Sequence, residues 1–480
     1  MRITIICLLF AASIASYGQT GYDLKFTITG LQDTTVLLGH YYGESTYAKD
    51  TAFSKGGVFS FQGKSALPHG VYFLILGKTR LFDFVIGSGQ NFKMETKKGD
   101  YVKTMKVTGD IDNKLFFDNM RFNADRNGEV EPIVKVLQDS STSQDKRKEA
   151  REAFDKINKK VLAYQDDIIQ KHPNTMTARL MKTAKRLEVP DAPKKPDGSI
   201  DSTHQLRYYR QHYFDYFDLS DDALMRLPKP IYTEKINEYL DKLYPPQSDS
   251  LIKAIDKLVA KARKNPETYK YAVYNCLVKY QAPEIMGLDA IFVHIYDKYF
   301  ATGEMDFWAN ARMKQNIKEH ADRLRTSLIG MQGKNLIMQD ANLQPRSMYD
   351  IKNKYTILFI FDPDCSHCKE ETPKLLKFYN EYRTKFDIEV FAVSSDTSMA
   401  KMNSFIKNFK MPWITVNGPR TYVGSYHDLY DAMQTPTLYI LDEKKKIIAK
   451  KPPIESLPDF FANYERIEKK KAKSGSKSTP

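Results

Sequence analysis

The chain has few cysteines and almost no tryptophan. Only four of its 480 residues are cysteine and two are tryptophan. Cys7 falls in the apolar start of the chain, Cys365 and Cys368 lie close together, and Cys276 is left as an odd thiol. This distribution excludes a disulfide-stapled scaffold, which needs many paired cysteines. We interpret Cys276 as a small buried hydrophobe, with a role as a redox partner as the alternative.

Long apolar runs are also missing, because no segment reaches the roughly 20 residues that a membrane-spanning helix needs. The N-terminus has Arg2, a short apolar run over residues 3–15 and small residues at 16–18. This order is typical of a secretory signal. We therefore expect residues 1–18 to be removed and the protein to be exported to the periplasm or cell envelope, not embedded in the membrane. A buried first strand or a membrane anchor is the alternative.

Signatures of nucleic-acid, nucleotide and metal sites are absent too. The net charge is +14, but lysine and arginine alternate with acids and accompany no nucleic-acid-binding motif, so we predict no nucleic-acid partner. There is no phosphate-binding glycine motif, and no histidine has a second ligand at metal-site spacing. We therefore predict no cofactor and no metal. The densest basic stretch, residues 468–480, is interpreted as a disordered, solvated tail.

Residues 19–112 consist of short β-prone runs separated by turn residues, as at Gly56 and Gly57. Alternating runs at this spacing are typical of an antiparallel sandwich or barrel. His40 and His69 are isolated within this all-β region, so each is interpreted as a structural or surface histidine. The predicted strands cover residues 24–29, 35–42, 58–61, 71–76, 82–86 and 92–96.

Residues 113–328 change to a helical period. Apolar side chains at 251, 252, 255, 258 and 259 share one face of an amphipathic helix, and similar patterns recur over 150–170, 236–243 and 288–299. The proline-rich stretch 189–203 predicts a loop that interrupts this α-helical domain. Aromatic residues crowd positions 208–217. We interpret them as buried packing, with a binding face as the alternative.

Residues 329–467 alternate β and α, which predicts an α/β domain with a βαβ unit followed by a ββα unit. The chain is thus predicted to be multidomain. Its first strand, residues 355–361, is continuously apolar, as in a strand buried on both faces. The other predicted strands are 388–394, 413–416, 437–441 and 446–449, and the helices run from the cysteines to about residue 383, over 399–409 and over 457–467.

The chemistry of the chain is concentrated in Cys365, Ser366, His367 and Cys368, which follow that first strand after a short loop. A helix start carries unpaired N–H groups and a positive partial charge, so it stabilises a thiolate. We predict that Cys365 attacks a disulfide and that Cys368, one turn further, resolves the mixed disulfide. A structural disulfide or half of a zinc site is the alternative, but no second Cys/His pair at zinc spacing exists.

Two neighbouring side chains are expected to shift the pKa of Cys365 in opposite directions. His367 is expected to favour the Cys365 thiolate, whereas the carboxylate of Asp364 disfavours it. Glu371 lies on the same helix face as Cys368 and is interpreted either as a general base for Cys368 or as a solvated glutamate near the helix start.

Residues 332–467 resemble the thioredoxin superfamily, and specifically the exported TlpA/ResA-like thiol-disulfide oxidoreductases. The matching residues are Phe359–Phe361, Cys365–Cys368, Glu371 with Pro373, and Thr435-Pro436-Thr437. The resemblance implies that Cys365 is the nucleophile, Cys368 the resolving cysteine, Glu371 a buried acid and Pro436 a cis proline that, with Thr435, binds substrate. Asp364 stands where the family usually has tryptophan. The preceding regions resemble, more loosely, modules of exported Bacteroidetes-type proteins.

The expected function is therefore an exported thiol-disulfide oxidoreductase that reduces or exchanges disulfides of envelope proteins. A membrane thiol-reductant donor is an expected second partner. The alternative is an envelope protein that captures a partner through its first two regions and keeps the thioredoxin-like domain as a scaffold with little redox activity.

Overall fold

The computed structural model describes residues 21–475, with side chains up to residue 470, and these residues group into two compact units. The first unit extends to Tyr239 and includes Ala260–Tyr269, and the second takes Leu240–Val259 and everything from Lys270. The helical region is therefore divided between the units. The proposed borders at residues 112, 328 and 467 remain predictions, and the predicted signal at 1–18 lies outside the described residues.

The first unit begins with a β-sandwich. Its two sheets have the strand orders β4-β1-β7-β8 and β3-β2-β5-β6, and inward-facing side chains of both sheets share one core. The predicted all-β sandwich is thus confirmed. The strands are β1 Tyr22–Thr29, β2 Thr34–Tyr42, β3 Ser45–Ser54, β4 Val58–Gly63, β5 Gly70–Leu76, β6 Thr79–Ile86, β7 Asn91–Lys97 and β8 Lys106–Thr108.

Two features of the sandwich differ from the prediction. Strands β1 and β7 pair in parallel, so the expected purely antiparallel arrangement is wrong at this pair. Five strands separate them along the chain, and no hairpin constrains their direction. Strand β3 was not predicted, because it is mostly exposed at a sheet edge and carries no apolar alternation.

Helices follow from residue 111 onward. Asp110 caps α1 by accepting hydrogen bonds from the N–H groups of Asp112 and Asn113, and the Asn113 side chain bonds to the backbone of Val85 in β6. The predicted loop at 189–203 contains no helix. The helices are α1 Ile111–Gln138, α2 Gln144–Lys171, α3 Met176–Thr183, α4 His204–His212, α5 Ile231–Leu243, α6 Ser248–Ala262, α7 Pro266–Lys279, α8 Asp289–Ile295 and α9 Ala311–Arg325.

The aromatic cluster and the isolated histidines of the first unit have structural surroundings. Tyr213 and Phe217 are buried, which agrees with packing. The ring of His40 stacks with those of Tyr47 and Tyr72, and His69 contacts Arg179. The ring of Tyr213 packs near that of Tyr239, and the ring of Phe217 packs near that of Tyr232.

The C-terminal part of the second unit is built on a seven-stranded sheet of order β10-β9-β13-β12-β11-β14-β15. Every residue of the central strand β11 is buried, and its side chains alternate between two cores on opposite faces. This explains its continuous apolar sequence. The strands are β9 Ile337–Asp340, β10 Pro345–Ser347, β11 Tyr355–Phe361, β12 Ile388–Ser394, β13 Ile414–Thr421, β14 Thr437–Leu441 and β15 Ile447–Lys450.

The helices of this α/β domain are α10 Ser366–Phe386, α11 Met399–Phe409, α12 Tyr426–Leu429 and α13 Leu457–Gly475. The predicted fold class is confirmed, although β9, β10 and α12 were not predicted. Helix α13 continues past the predicted end at Ile467, so a disordered tail from residue 468 is wrong as far as Gly475. Lysine and alanine are good helix formers, and lysines are favoured near a helix C-terminus. Among the described helices, none combines the length and apolarity required to cross a membrane.

The core of the sandwich predicts that replacing two different phenylalanines changes the free energy of unfolding by very different amounts. Phe84 is 0% exposed and contacts the rings of Phe26 and Phe92, whereas Phe53 on β3 is 64% exposed. We expect Phe84→Ala to lower the free energy of unfolding by about 3–5 kcal/mol, because it leaves a cavity. The control Phe53→Ala should change it by less than about 0.5 kcal/mol. Urea unfolding measures both, and equal midpoints for the two variants would contradict this packing.

Candidate active site

The two adjacent cysteines lie where β11 ends and α10 begins. Cys365 is the N-cap residue of α10, and its carbonyl accepts a hydrogen bond from the N–H of Lys369. The preceding loop is held by Asp362, whose carbonyl accepts from the N–H of Cys365 and whose carboxylate accepts from the N–H of Asp364 at 2.8 Å. The buried strand and this tight turn together fix the position of Cys365.

The two thiols are free and have different environments. Cys365 is partly exposed. The backbone N–H of Cys368 holds the pKa of the Cys365 thiol below the ordinary 9.0. The Cys368 side chain, the Thr435 side chain and the backbone N–H of His367 lower this pKa to a smaller extent. Cys368 is 0% exposed, and burial raises the pKa of its thiol to about 12. Its sulfur accepts a hydrogen bond from the N–H of Asp362 at 3.3 Å. Cys365 is thus the thiol suited to attack.

Thr435 and Pro436, which the family resemblance implies as substrate-binding residues, follow each other beside Cys365. The bond between them is cis, and the Cys365 thiol donates to the Thr435 carbonyl at 3.5 Å. Met433, two residues before Thr435, is 62% exposed. An accessible sulfur therefore stands next to a backbone segment, an arrangement that can receive an extended polypeptide.

The side chain of His367 points away from the expected contact. It is exposed, and its Nδ1 lies 3.7 Å from a carboxylate oxygen of Glu370. The support that His367 gives to the Cys365 thiolate comes from its backbone N–H. The predicted role of the imidazole in lowering the pKa of Cys365 therefore stays without a contact that carries it in the described structure.

Glu371 is not the buried acid that the family resemblance implies. The side chain of Glu371 is 25% exposed, and its carboxylate forms an ion pair with Lys374 at 2.6 Å. Lys374 also pairs with Glu455 at 2.5 Å. The lysine one turn along α10 thus holds Glu371 at the surface, which agrees with the alternative of a solvated glutamate. Its role as a general base stays a prediction.

The carboxylate of Asp364 has a partner that the sequence did not reveal. Lys401 of α11 binds it at 2.7 Å and binds Asp396 at 2.9 Å. The pKa of Lys401 is raised by these hydrogen bonds, first by the one to Asp364. The lysine offsets the negative charge that would otherwise disfavour the Cys365 thiolate. Lys401 is far from the cysteines in the chain, and no local pattern marks it.

A surface cleft lies close to the cysteine loop. Its wall meets the segment before Thr435, because Nδ1 of His427 lies 2.9 Å from the carbonyl oxygen of Ala432. Tyr426 in the cleft has a raised pKa, mainly from burial and partly from the nearby Asp362. Sequence reasoning missed this cleft, which forms only when distant loops meet. Its lining residues are Ser395, Gly418, Pro419, Thr421, Tyr422, Val423, Gly424, Ser425, Tyr426 and His427.

Cys276 lies apart from this chemistry. It is 0% exposed within α7, and burial raises the pKa of its thiol to about 12. A buried neutral thiol is a poor nucleophile. The interpretation of Cys276 as a small buried hydrophobe agrees with these surroundings.

Three family models match the chain. A model described as "Thioredoxin-like" matches residues 353–447, which include both cysteines and the Thr435–Pro436 step. Models described as "Domain of unknown function (DUF4369)" and "Domain of unknown function (DUF5106)" match residues 22–116 and 145–322. The predicted resemblance of the C-terminal region is thus confirmed.

Two curated relatives are named thiol-disulfide oxidoreductase ResA. The protein of Bacillus subtilis is 22% identical over 120 residues, which are 25% of this chain and 64% of that protein. The protein of Oceanobacillus iheyensis is 27% identical over 111 residues, which are 23% of this chain and 56% of that protein. The chain spans less than two thirds of the length of either relative. Their names agree with the predicted oxidoreductase class.

Two solved structures also match parts of the chain. A domain of a possible thiol-disulfide isomerase from Cytophaga hutchinsonii is 38% identical and is covered to 97%, over 30% of this chain, with a TM-score of 0.28. A thioredoxin-like protein from Bacteroides caccae is 18% identical and is covered to 99%, over 58% of this chain, with a TM-score of 0.44.

Alkylation should separate the three described thiols. Only the thiolate reacts with iodoacetamide. The pKa of Cys365 lies below 9.0, whereas burial raises those of Cys368 and Cys276 to about 12. The rate at Cys365 should rise with pH and reach half of its maximum below pH 9, while the other two thiols stay unlabelled. Peptide mass mapping after timed labelling measures this, and equal labelling of Cys365 and Cys368 would contradict it.

Removing the hydroxyl of Thr435 should raise the pKa of Cys365, because that side chain favours the thiolate. Thr435→Val keeps the shape of the side chain, and the ultraviolet absorbance of the thiolate during a pH titration measures the change. Thr415→Val is a matched control, since the Thr415 hydroxyl is buried on β13 with no hydrogen-bond partner among the described residues. A shift in the control, or none in Thr435→Val, would argue against this contact.

Proposed function

We propose that this chain, whose C-terminal domain belongs to the thioredoxin-like family, is a thiol-disulfide oxidoreductase acting on proteins through Cys365 and Cys368. The observation that carries the proposal is the contrast between the two thiols. One is accessible with a lowered pKa, and the other is buried with a pKa raised to about 12. This contrast suits an attacking and a resolving sulfur, and it is not needed in a scaffold.

The reduction of a substrate proceeds in two exchanges. The Cys365 thiolate attacks one sulfur of the substrate disulfide, the substrate S–S bond breaks, and the other substrate sulfur leaves as a thiolate. Cys368 then gives up its proton and attacks Cys365 in the mixed disulfide. The second substrate sulfur leaves, and a Cys365–Cys368 disulfide remains. Two electrons pass from the protein to the substrate, and the departing thiolates take up protons.

The first exchange is helped by the N–H groups at the start of α10, which stabilise the attacking sulfur. The second is slowed by the raised pKa of Cys368, so a base is needed when it attacks. Glu371 is our candidate for that base. Its ion pair with Lys374 would have to open first.

The site of action that we propose is the cell envelope, with proteins as substrates and a membrane thiol-reductant donor as the source of electrons. The signal pattern at residues 1–18 supports export. An oxidised Cys365–Cys368 pair must be reduced again for each turnover, which requires a dithiol or an equivalent two-electron donor. The backbone carbonyl of Thr435, within hydrogen-bond distance of the Cys365 thiol, supports a polypeptide substrate.

The competing function is partner capture without redox turnover. The matches at residues 22–116 and 145–322 to domains of unknown function cover most of the chain outside the cysteine domain, and they leave room for a binding role. Under that reading, Cys365→Ser would capture the same partners as the unmodified protein.

Cys368→Ser should trap mixed disulfides through Cys365. The first exchange remains possible in this variant, but the resolving sulfur is gone, so substrate stays covalently attached. Full-length variant is incubated with insulin or with envelope proteins, and non-reducing gels followed by mass mapping locate the linked cysteine. Turnover with insulin should fall to background.

Cys365→Ser is the control and should trap nothing, because the buried Cys368 is neither accessible nor ionised at neutral pH. If Cys368→Ser forms no mixed disulfide with any protein, the proposed oxidoreductase function is wrong. If Cys365→Ser still captures partners non-covalently, the binding role gains support.

A further inference from the structure

A buried ion pair joins the helical region to the cysteine domain within the second unit. Lys450 on β15 and Asp289 at the start of α8 have 7% and 6% of their surface exposed, and Lys450 Nζ lies 2.7 Å from Asp289 Oδ2. Burying two charges is costly unless they are well paired. Because burial of this pair is costly, its position between a helix and the sheet suggests a function beyond general stability.

Ser327, just after α9, is the centre of the same cluster. It is 0% exposed. Its Oγ accepts hydrogen bonds from Lys450 Nζ at 3.3 Å, from the Tyr439 hydroxyl at 3.4 Å and from the backbone N–H of Asp431 at 3.4 Å. Two residues of the helical region, Asp289 and Ser327, thus meet three groups of the cysteine domain.

Two of those groups lie at the two ends of the segment that passes Cys365. Asp431 precedes Thr435 and Tyr439 follows it on β14, and the Tyr439 hydroxyl also donates to the Asp431 carbonyl at 3.2 Å. The middle of the segment contacts the reactive sulfur through the Thr435 carbonyl. The segment is therefore tied at both ends to one cluster and touches Cys365 at its centre.

A further bond connects the helical region to the chain just before this segment. The Thr326 hydroxyl donates to the carbonyl of Asp428 at 3.3 Å. Lys451 pairs with the Asp431 carboxylate at 2.8 Å, so that side chain is also held in place. Each contact is modest by itself, but all of them restrain the same short stretch of chain.

We propose that Asp289 and Ser327 are positioning residues that hold the segment 431–439 against Cys365, and that the end of the helical region thereby tunes how polypeptide substrates bind. The proposal rests on the proposed oxidoreductase function. It assigns a task to part of the helical region, which the family comparisons leave without one.

The charge of Asp289 is the sensitive point. Lys450 Nζ lies 2.7 Å from Asp289 but also 3.8 Å from Asp431 Oδ2. When the Asp289 charge is removed, Asp431 becomes the nearest carboxylate to a buried cation. Attraction between them then pulls on the end of the segment that Ser327 otherwise holds. A shift of this kind displaces Thr435 without changing the cysteines.

The test compares full-length Asp289→Asn with the unmodified protein, using dithiothreitol as the electron donor. We expect the KM for insulin disulfides to rise about tenfold with little change in kcat, because a displaced binding segment weakens substrate positioning. The rate with cystamine, a small disulfide that does not need the segment, should change less than about twofold. Hydrogen exchange of the backbone amides at 431–439 should become faster.

Two further variants make the test decisive. Ser327→Ala keeps the ion pair but removes the shared oxygen, so it should raise the KM for insulin in the same direction and can replace Asp289→Asn if that variant does not fold. Asp297→Asn is the matched control. Asp297 forms an exposed ion pair with Arg325 in the same region, and its loss should alter neither KM nor amide exchange.

Folded variants with an unchanged KM for insulin and unchanged exchange at 431–439 would overturn the proposal. So would equal losses with insulin and cystamine, since these indicate general damage to the domain. If the unmodified protein exchanges neither disulfide, the proposed function fails. The exchange of the amides at 431–439 then still decides whether Asp289 and Ser327 hold the segment.

Discussion

The unpaired N–H groups in the first turn of α10 are the interaction on which the chemistry depends. The backbone N–H of Cys368 and, to a smaller extent, that of His367 favour the negative charge on Cys365. They can do so because β11 is packed on both faces and ends in a tight turn held by Asp362. Backbone donors need no particular side chain, which explains why Asp364 and an outward-facing His367 are tolerated beside the sulfur.

Burial then gives the two sulfurs different reactivities. Cys368 lies one turn deeper in the core of the domain, where desolvation raises the pKa of its thiol, while Cys365 remains at the surface. The same short motif thus produces one reactive and one protected thiol. Lys401 and Lys374 neutralise the nearby carboxylates of Asp364 and Glu371, so neither acid opposes the thiolate strongly.

The sequence predicted what depends on local pattern. The apolar run of β11, the period of α11 and the cysteine spacing identify the C-terminal fold and place Cys365 at a helix start. Features that need distant residues could not be predicted. Lys401 reaches Asp364 from another helix, and the parallel pairing of β1 with β7 depends on the whole sandwich. The exposed strand β3 has no apolar rhythm, and Glu371 is drawn to the surface by a lysine whose orientation no spacing reveals.

The buried Asp289–Lys450 pair also bears on how the chain can be divided. A fragment that starts at the predicted border of residue 329 contains Lys450 but neither Asp289 nor Ser327. Its sequence would look like a complete module, yet a cation that is buried in the whole chain would lose its closest counter-charge. The border that the amino-acid pattern marks at residue 329 therefore separates two buried charges that stabilise each other in the whole chain.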